Sequence, residues 1–160
     1  METGHQIIRP DETDIRSAAE RIGRYVNRTP VMTSSMVNRI FQGEFYFKCE
    51  NFQKVGAFKA RGATNAVLSL SSGEIQAGVA THSSGNHAQA LSWAASLVDT
   101  KAYIVMPSNS PRVKVNAVKD YGGIITFCEP NLAARESTLE QVINRTGARE
   151  VHPYNDPVII

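Results

Sequence analysis

The stretch GVATHSSGNHAQALSWAASLVDTKAYIVMP, residues 78–107, sets out the architecture in miniature. GVATHS reads as a short strand that breaks at Ser83, Ser84 and Gly85. In GNHAQALSWAASL, Ala88, Leu91, Ala95 and Val98 recur at helical spacing, and AYIVMP is a second apolar strand. Strands separated by a helix are expected to pair in parallel, because the chain must cross back before pairing again. The pattern repeats downstream. Ser110 is placed to cap a helix with Pro111 at its first position, where the missing N–H costs nothing; that helix is expected to bury Val113, Ala117, Val118 and Tyr121. Gly122-Gly123 stops it, IITFC reads as a buried strand, and Asn131 caps a last helix running to about Arg145, before a short strand near Glu150 to His152. Upstream, Phe58 to Leu70 carries Ala63, Ala66, Val67 and Leu70 on one helical face, ended by SSG at 71–73. The expected class is α/β, an open parallel sheet with helices on both faces.

Residues 1–50 read differently. An amphipathic helix with Ile15, Ala18, Ala19, Ile22 and Val26 precedes a polar turn (RTPVMTSS), a short helix around Met36 to Phe41, and the strand EFYFKCE. That strand alternates Phe45, Phe47 and Cys49 with Tyr46, Lys48 and Glu50, and so requires neighbours or a cover.

Bulk properties narrow the function. The 160 residues are 42% hydrophobic, enough for one ordinary core, and a net charge of +2 gives no electrostatic case for nucleic acid or an anionic membrane. A small zwitterionic or neutral partner fits better. The apolar runs are far below the ~20 residues of a membrane span. METGHQIIRPDETD has no apolar signal core and carries early acids, so a cytoplasmic chain is expected, with Cys49 and Cys128 as buried free thiols. No G-x-G-x-x-G follows a strand, which disfavours a dinucleotide site.

Ligands of open α/β sheets gather beyond the carboxyl ends of strands, where helix N-termini offer free N–H groups. Two polar clusters fall at such turns. One is Lys59 in VGAFKARGA, residues 55–63, between Phe58 and small residues. Burial and a helix N-terminus both disfavour an ammonium, so this amine is expected to have a lowered pKa and to act as a nucleophile of the kind that forms Schiff bases with aldehydes. The other is THSSGNHAQ, residues 81–89, where a strand breaks into Ser83, Ser84, Gly85, Asn86 and His87; Gly85 admits a ligand to the backbone, and the serines and Asn86 supply donors for a carboxylate or phenolate oxygen. His82, His87 and His152 lack the company of metal ligands, so packing or loop hydrogen bonds are expected of them.

The run ENFQKVGAFKARGA resembles the cofactor-lysine signature of the serine/threonine dehydratase and serine racemase family of fold-type II pyridoxal-phosphate enzymes, and THSSGNHAQAL resembles its substrate and cofactor loop. RTPVMTSS, AYIVMP, YGG and HPYNDP fall in that family's order. The resemblance implies a tryptophan synthase beta-like fold. It makes Lys59 the lysine that carries pyridoxal phosphate, with Phe58 beside it and Asn86 on the ring hydroxyl. It also makes Ser83, Ser84, Gly85, Asn86 and His87 the binders of the substrate carboxylate. Serine racemases show Ser at the position of Ser84, where a hydroxyl across the cofactor from Lys59 supplies a second acid/base; capping of the following helix is the other reading of Ser84. The implied chemistry is interconversion of L- and D-serine, and conversion of serine or threonine to a 2-oxo acid and ammonia.

The same resemblance implies ATP and Mg²⁺ as effectors, with Ser34, Ser35, Met36, Lys54, Gln89 and Tyr121 at the nucleotide positions. Val55 departs from a threonine there, and Arg16 stands where a metal-associated acid is found. Family chains are about twice this length. Residues 1–51 then correspond to the N-terminal part of a large domain, 52–155 to a small α/β domain and 156–160 to the start of the remaining large-domain portion. With the phosphate-binding loop absent, impaired turnover is expected. The alternative is a non-catalytic shortened form that pairs with a full-length subunit, and homo-oligomerisation is a further expectation.

Overall fold

The computed structural model describes residues 10–159. The described residues open with α1 (Glu12–Ile22), held by a capping box: Asp14 N–H donates to Asp11 Oδ1 and Asp11 N–H to Asp14 Oδ2, both at 3.0 Å. β1 (Val31–Thr33), α2 (Ser35–Phe41) and β2 (Tyr46–Lys48) follow, with β1 and β2 antiparallel in the register Val31 to Lys48 and Thr33 to Tyr46. Two single turns of 3₁₀ helix, Glu50–Phe52 and Lys54–Gly56, lead into α3 (Lys59–Leu68) and α4 (Ser72–Ala77).

The rest alternates: β3 (Val79–His82), α5 (Asn86–Ser96), β4 (Ala102–Pro107), α6 (Arg112–Asp120), β5 (Ile124–Cys128), α7 (Leu132–Thr146) and β6 (Arg149–Glu150). These four strands form a parallel sheet in the order β5-β4-β3-β6. Alternate residues of β3 and β4 point to opposite faces, which creates two cores. Val79, Ile104 and Met106 pack with Ala63, Val67, Leu91 and Val118 under α3, α5 and α6, while Ala80 and Val105 meet Leu139 and Val142 of α7 on the other face. Complete burial of a side chain such as Leu91 or Ile104 contributes about 1.5–3 kcal/mol. The sheet class and its two helical layers are thus as the alternation indicates. No helix among the described residues is long and apolar enough to cross a membrane.

Several local expectations are corrected. SSG does not simply end α3: Ser71 begins α4, its hydroxyl accepting from Glu74 N–H while Glu74 accepts from Ser71 N–H, and Gly78 at φ +97° ends that helix. RTPVMTSS is not all turn, because Val31–Thr33 pairs with β2. Ser110 does not cap α6; its hydroxyl donates to Pro107 O at 2.7 Å, and Pro111 stands at the cap. That helix buries Val115 and Val118, leaving Val113 71% exposed, since its inner face runs one step away from the expected one. IITFC is an edge strand with Ile124 and Phe127 exposed, the helices covering only its neighbours fully. Cys49 is half-buried, and Cys128 is buried; both are free thiols.

Candidate active site

The turn before α3 is braced by polar contacts to the 27–29 segment. Buried Gln53 clamps Asn27: Asn27 N–H donates to Gln53 Oε1 and Gln53 Nε2 donates to Asn27 O, each at 2.8 Å. Arg61 grips Glu50 through Nε to Oε2 at 2.9 Å and Nη2 to Oε1 at 2.7 Å, and Thr29 Oγ1 donates to the same carboxylate at 2.6 Å. Hydrogen bonding from Arg61, opposed by burial and aided by Thr29, holds the Glu50 pKa down at about 2. Val55 (φ +54°) and Gly56 (φ +69°) then turn the chain through two left-handed residues. A β-branched residue in that region costs about 1–2 kcal/mol, a strain the clamp on either side sustains. Lys59 emerges as the first residue of α3.

Lys59 is half-buried. Its Nζ donates to Pro153 O at 2.5 Å and lies 5.2 Å from the centre of the Phe58 ring. Phe58, Lys59 and Tyr154 open on a cavity of about 880 Å³ whose far wall is the α1 stripe of Ile15, Ala18 and Ile22. A primary amine placed beside an aromatic face and such a cavity is a donor set that suits an aromatic aldehyde. Phe58 itself is exposed, so it stands at the side of the amine without enclosing it.

Residues 83–87 form the turn between β3 and α5, and none of them lines that cavity. Ser83 Oγ accepts from Gly85 N–H at 3.3 Å. Gly85 occupies the N-cap of α5 and no side chain caps it, so the capping reading of Ser84 fails and its half-buried hydroxyl is left to the loop. A Cβ on Gly85 would meet nothing within 4 Å, so the turn borders open space. Asn86 Oδ1 accepts from Lys114 Nζ at 3.0 Å, a partner that sequence reasoning missed. Its signal was positional: α5 and α6 follow adjacent parallel strands, so their first turns lie at one end of the sheet.

The two clusters meet at residues 151–153. Lys59 binds the carbonyl of Pro153, and His87 Nε2 lies 3.0 Å from the carbonyl of Val151. A carbonyl only accepts, so His87 carries its proton on Nε2 and leaves Nδ1 buried without a partner. Burial, opposed by the bond to Val151 and supported by the charges of Lys59, His152 and His82, holds its pKa down at about 4. His152 Nδ1 accepts from Asn155 N–H at 3.0 Å, and its ring stacks edge-on with His82 and Tyr154.

The remaining sequence-selected residues lie on several elements. Ser34 caps α2 through Val37 N–H at 3.3 Å, Ser35 opens that helix, Met36 is 61% exposed and Lys54 lies in the second 3₁₀ turn. Gln89 is buried on α5 with Nε2 unpartnered, and Tyr121 ends α6. Arg16 is spent on Glu12, four residues away, at 2.6 Å.

Comparison with known proteins adds an independent line. The pyridoxal-phosphate dependent enzyme family matches residues 22–160. A beta-hydroxyaspartate dehydratase of Paracoccus denitrificans is 50% identical over 151 residues, 94% of this chain and 48% of that protein. A serine racemase of Arabidopsis thaliana is 47% identical over 160 residues, 100% of this chain and 48% of the relative. The maize serine racemase structure superposes with a TM-score of 0.92 at 44% identity, covering 95% of this chain and 46% of that one. The chain spans about half the length of the curated relatives it matches.

Proposed function

The chain belongs to the pyridoxal-phosphate dependent enzyme family, and from that premise we propose that its residues serve a racemase and dehydratase acting on serine or a related 3-hydroxy amino acid. The observation that carries this reading is Lys59: a half-buried primary amine opening α3, beside Phe58 and bonded to the same 151–153 segment that His87 of the 83–87 turn contacts. Lys59 would hold pyridoxal phosphate through its aldehyde, Asn86 would face the ring oxygen, and the N–H groups of the 83–87 turn would take the substrate carboxylate. When bound, pyridoxal phosphate supplies an electron sink for the pair left as Cα loses its proton.

The acid/base work falls to this chain's side chains. Lys59, in free-amine form, takes the Cα proton from one side, and the Ser84 hydroxyl, uncommitted to the helix cap, returns one from the other, which inverts the centre. Elimination needs a single base: the Cα proton and the β-hydroxyl leave together as water, and hydrolysis of the resulting imine returns that water and releases ammonia and a 2-oxo acid. His87 stays neutral near pH 7 and fixes the 151–153 segment through its Nε2–H, so it orients the Lys59 partner and carries no proton in the reaction. The division into a part of a large domain (1–51) and a small domain (52–155) belongs to the same proposal; the separate β1–β2 pair and the four-stranded sheet of residues 79–150 support it. So does the assignment of Ser34, Ser35, Met36, Lys54, Gln89 and Tyr121 to an ATP effector, for which the unpartnered Gln89 amide is the supporting observation.

Borohydride reduction after incubation with pyridoxal phosphate, followed by peptide mass analysis, tests the lysine. One cofactor mass on Lys59, absent in Lys59→Ala, is expected, with pyruvate from L-serine or oxaloacetate from beta-hydroxyaspartate as the activity readout. Labelling spread over surface lysines, with Lys59 no more modified than they are, would overturn the reading.

A further inference from the structure

Asn86 is useful to a cofactor oxygen only if its amide nitrogen faces outward. An amide presents an acceptor on one side and donors on the other, and nothing in an asparagine side chain itself selects between them. Lys114 does. Its ammonium has three N–H donors and no lone pair, so the side of Asn86 that meets it must be the carbonyl. The Nζ to Oδ1 contact at 3.0 Å therefore turns Nδ2 and both its hydrogens away from α6.

The helix that delivers Lys114 is well fixed. Lys114 N–H donates to Pro111 O at 2.9 Å in the first turn of α6, and the next residue, Val115, is buried against the sheet core. Lys114 forms no ion pair among the described residues, so no carboxylate there competes with Asn86 for its donors. The contact is open to water, which limits its energy but not its directional effect.

We propose that Lys114 is a positioning residue that locks the donor face of Asn86 toward the bound cofactor. The inference rests on the reading above that Asn86 serves the cofactor ring oxygen.

The test uses the 160-residue chain and the variants Lys114→Met, Lys114→Arg, Asn86→Ala and, as a control on the same helix, Lys119→Met. In the cofactor-free chain, Lys114→Met should move the Asn86 side-chain amide resonances. Lys119→Met should leave them in place, and Lys114→Arg should restore them. In pyridoxal phosphate titrations followed by absorbance, Lys114→Met should weaken binding about three- to tenfold when Asn86 is present and add nothing in the Asn86→Ala background. Unmoved amide resonances in Lys114→Met, or losses that simply add in the double variant, would overturn the inference. An Asn86→Ala chain that binds cofactor as tightly as the wild type would overturn the role of Asn86 itself, a failure recognisable because the resonance shift survives it.

Discussion

Replacing Glu50 by Gln keeps the shape of the side chain and removes the charge that Arg61 grips. The Glu50 carboxyl sits at about 2 against an ordinary 4.5, a gap of about 2.5 pH units, or roughly 3.4 kcal/mol if none of it were screened. The Arg61 and Glu50 side chains are 34% and 20% exposed, so water screens part of this, and about 1.5–2 kcal/mol is the expected loss at neutral pH. With a urea slope of about 2 kcal/mol/M for a chain of this size, the unfolding midpoint of Glu50→Gln should fall by about 0.8–1 M. The sign of the pH dependence follows from the depressed value. The stabilisation is complete above about pH 4.5 and is lost as pH falls toward about 2, so more than half of the gap between wild type and variant should be gone by about pH 3. Urea unfolding of both proteins at pH 7 and pH 3, followed by far-ultraviolet circular dichroism, measures both quantities. Equal midpoints at pH 7, or a gap undiminished at pH 3, would refute the argument that this pair braces the turn before Lys59.

Two further outcomes follow from buried groups. His87 should remain neutral through about pH 5 and titrate near 4 by imidazole NMR, so the stability it contributes is present above about pH 6.5 and declines as pH falls toward 4; titration near 6.5 would contradict its burial. Gly123→Ala should cost about 1–3 kcal/mol in thermal or urea unfolding, because the new methyl would press on Val118 Cγ1 at 2.6 Å as well as on Ser92 Oγ; a neutral substitution would show that α5 and α6 yield there.

The alternation of strands and helices was legible because β3, β4 and α5 are apolar enough to show their periods, and Asn131 announces α7 with a cap that the structure bears out at 2.8 Å from Ala134 N–H. Short or marginal elements escaped. Ser71 and Glu74 carry the S-x-x-E pattern of a capping box, yet SSG reads first as a stop, so α4 stayed hidden. Val31–Thr33 is a strand only because β2 lies beside it, a tertiary cause that local propensity does not encode. The inner face of α6 was misplaced by the apolar Val113, which a position at the sheet edge leaves in water. At the site, the turns carrying Lys59 and residues 83–87 were readable as helix starts. The partners that hold them, Arg61 with Glu50 and Lys114 with Asn86, join residues 11 and 28 apart in ways no periodic pattern reveals.

The contacts of Lys59 and His87 with residues 151–153 have a consequence for how mutational surveys of this region will read. Both side chains rest on peptide oxygens, of Pro153 and Val151, and every amino acid brings the same oxygen. Exchanging either residue therefore leaves the acceptor standing, and such a survey will score these positions by what their side chains do to the local chain path. The dependence of Lys59 on this segment will surface only through insertions, deletions or ester replacement of the peptide bond, which shift or weaken the oxygen itself.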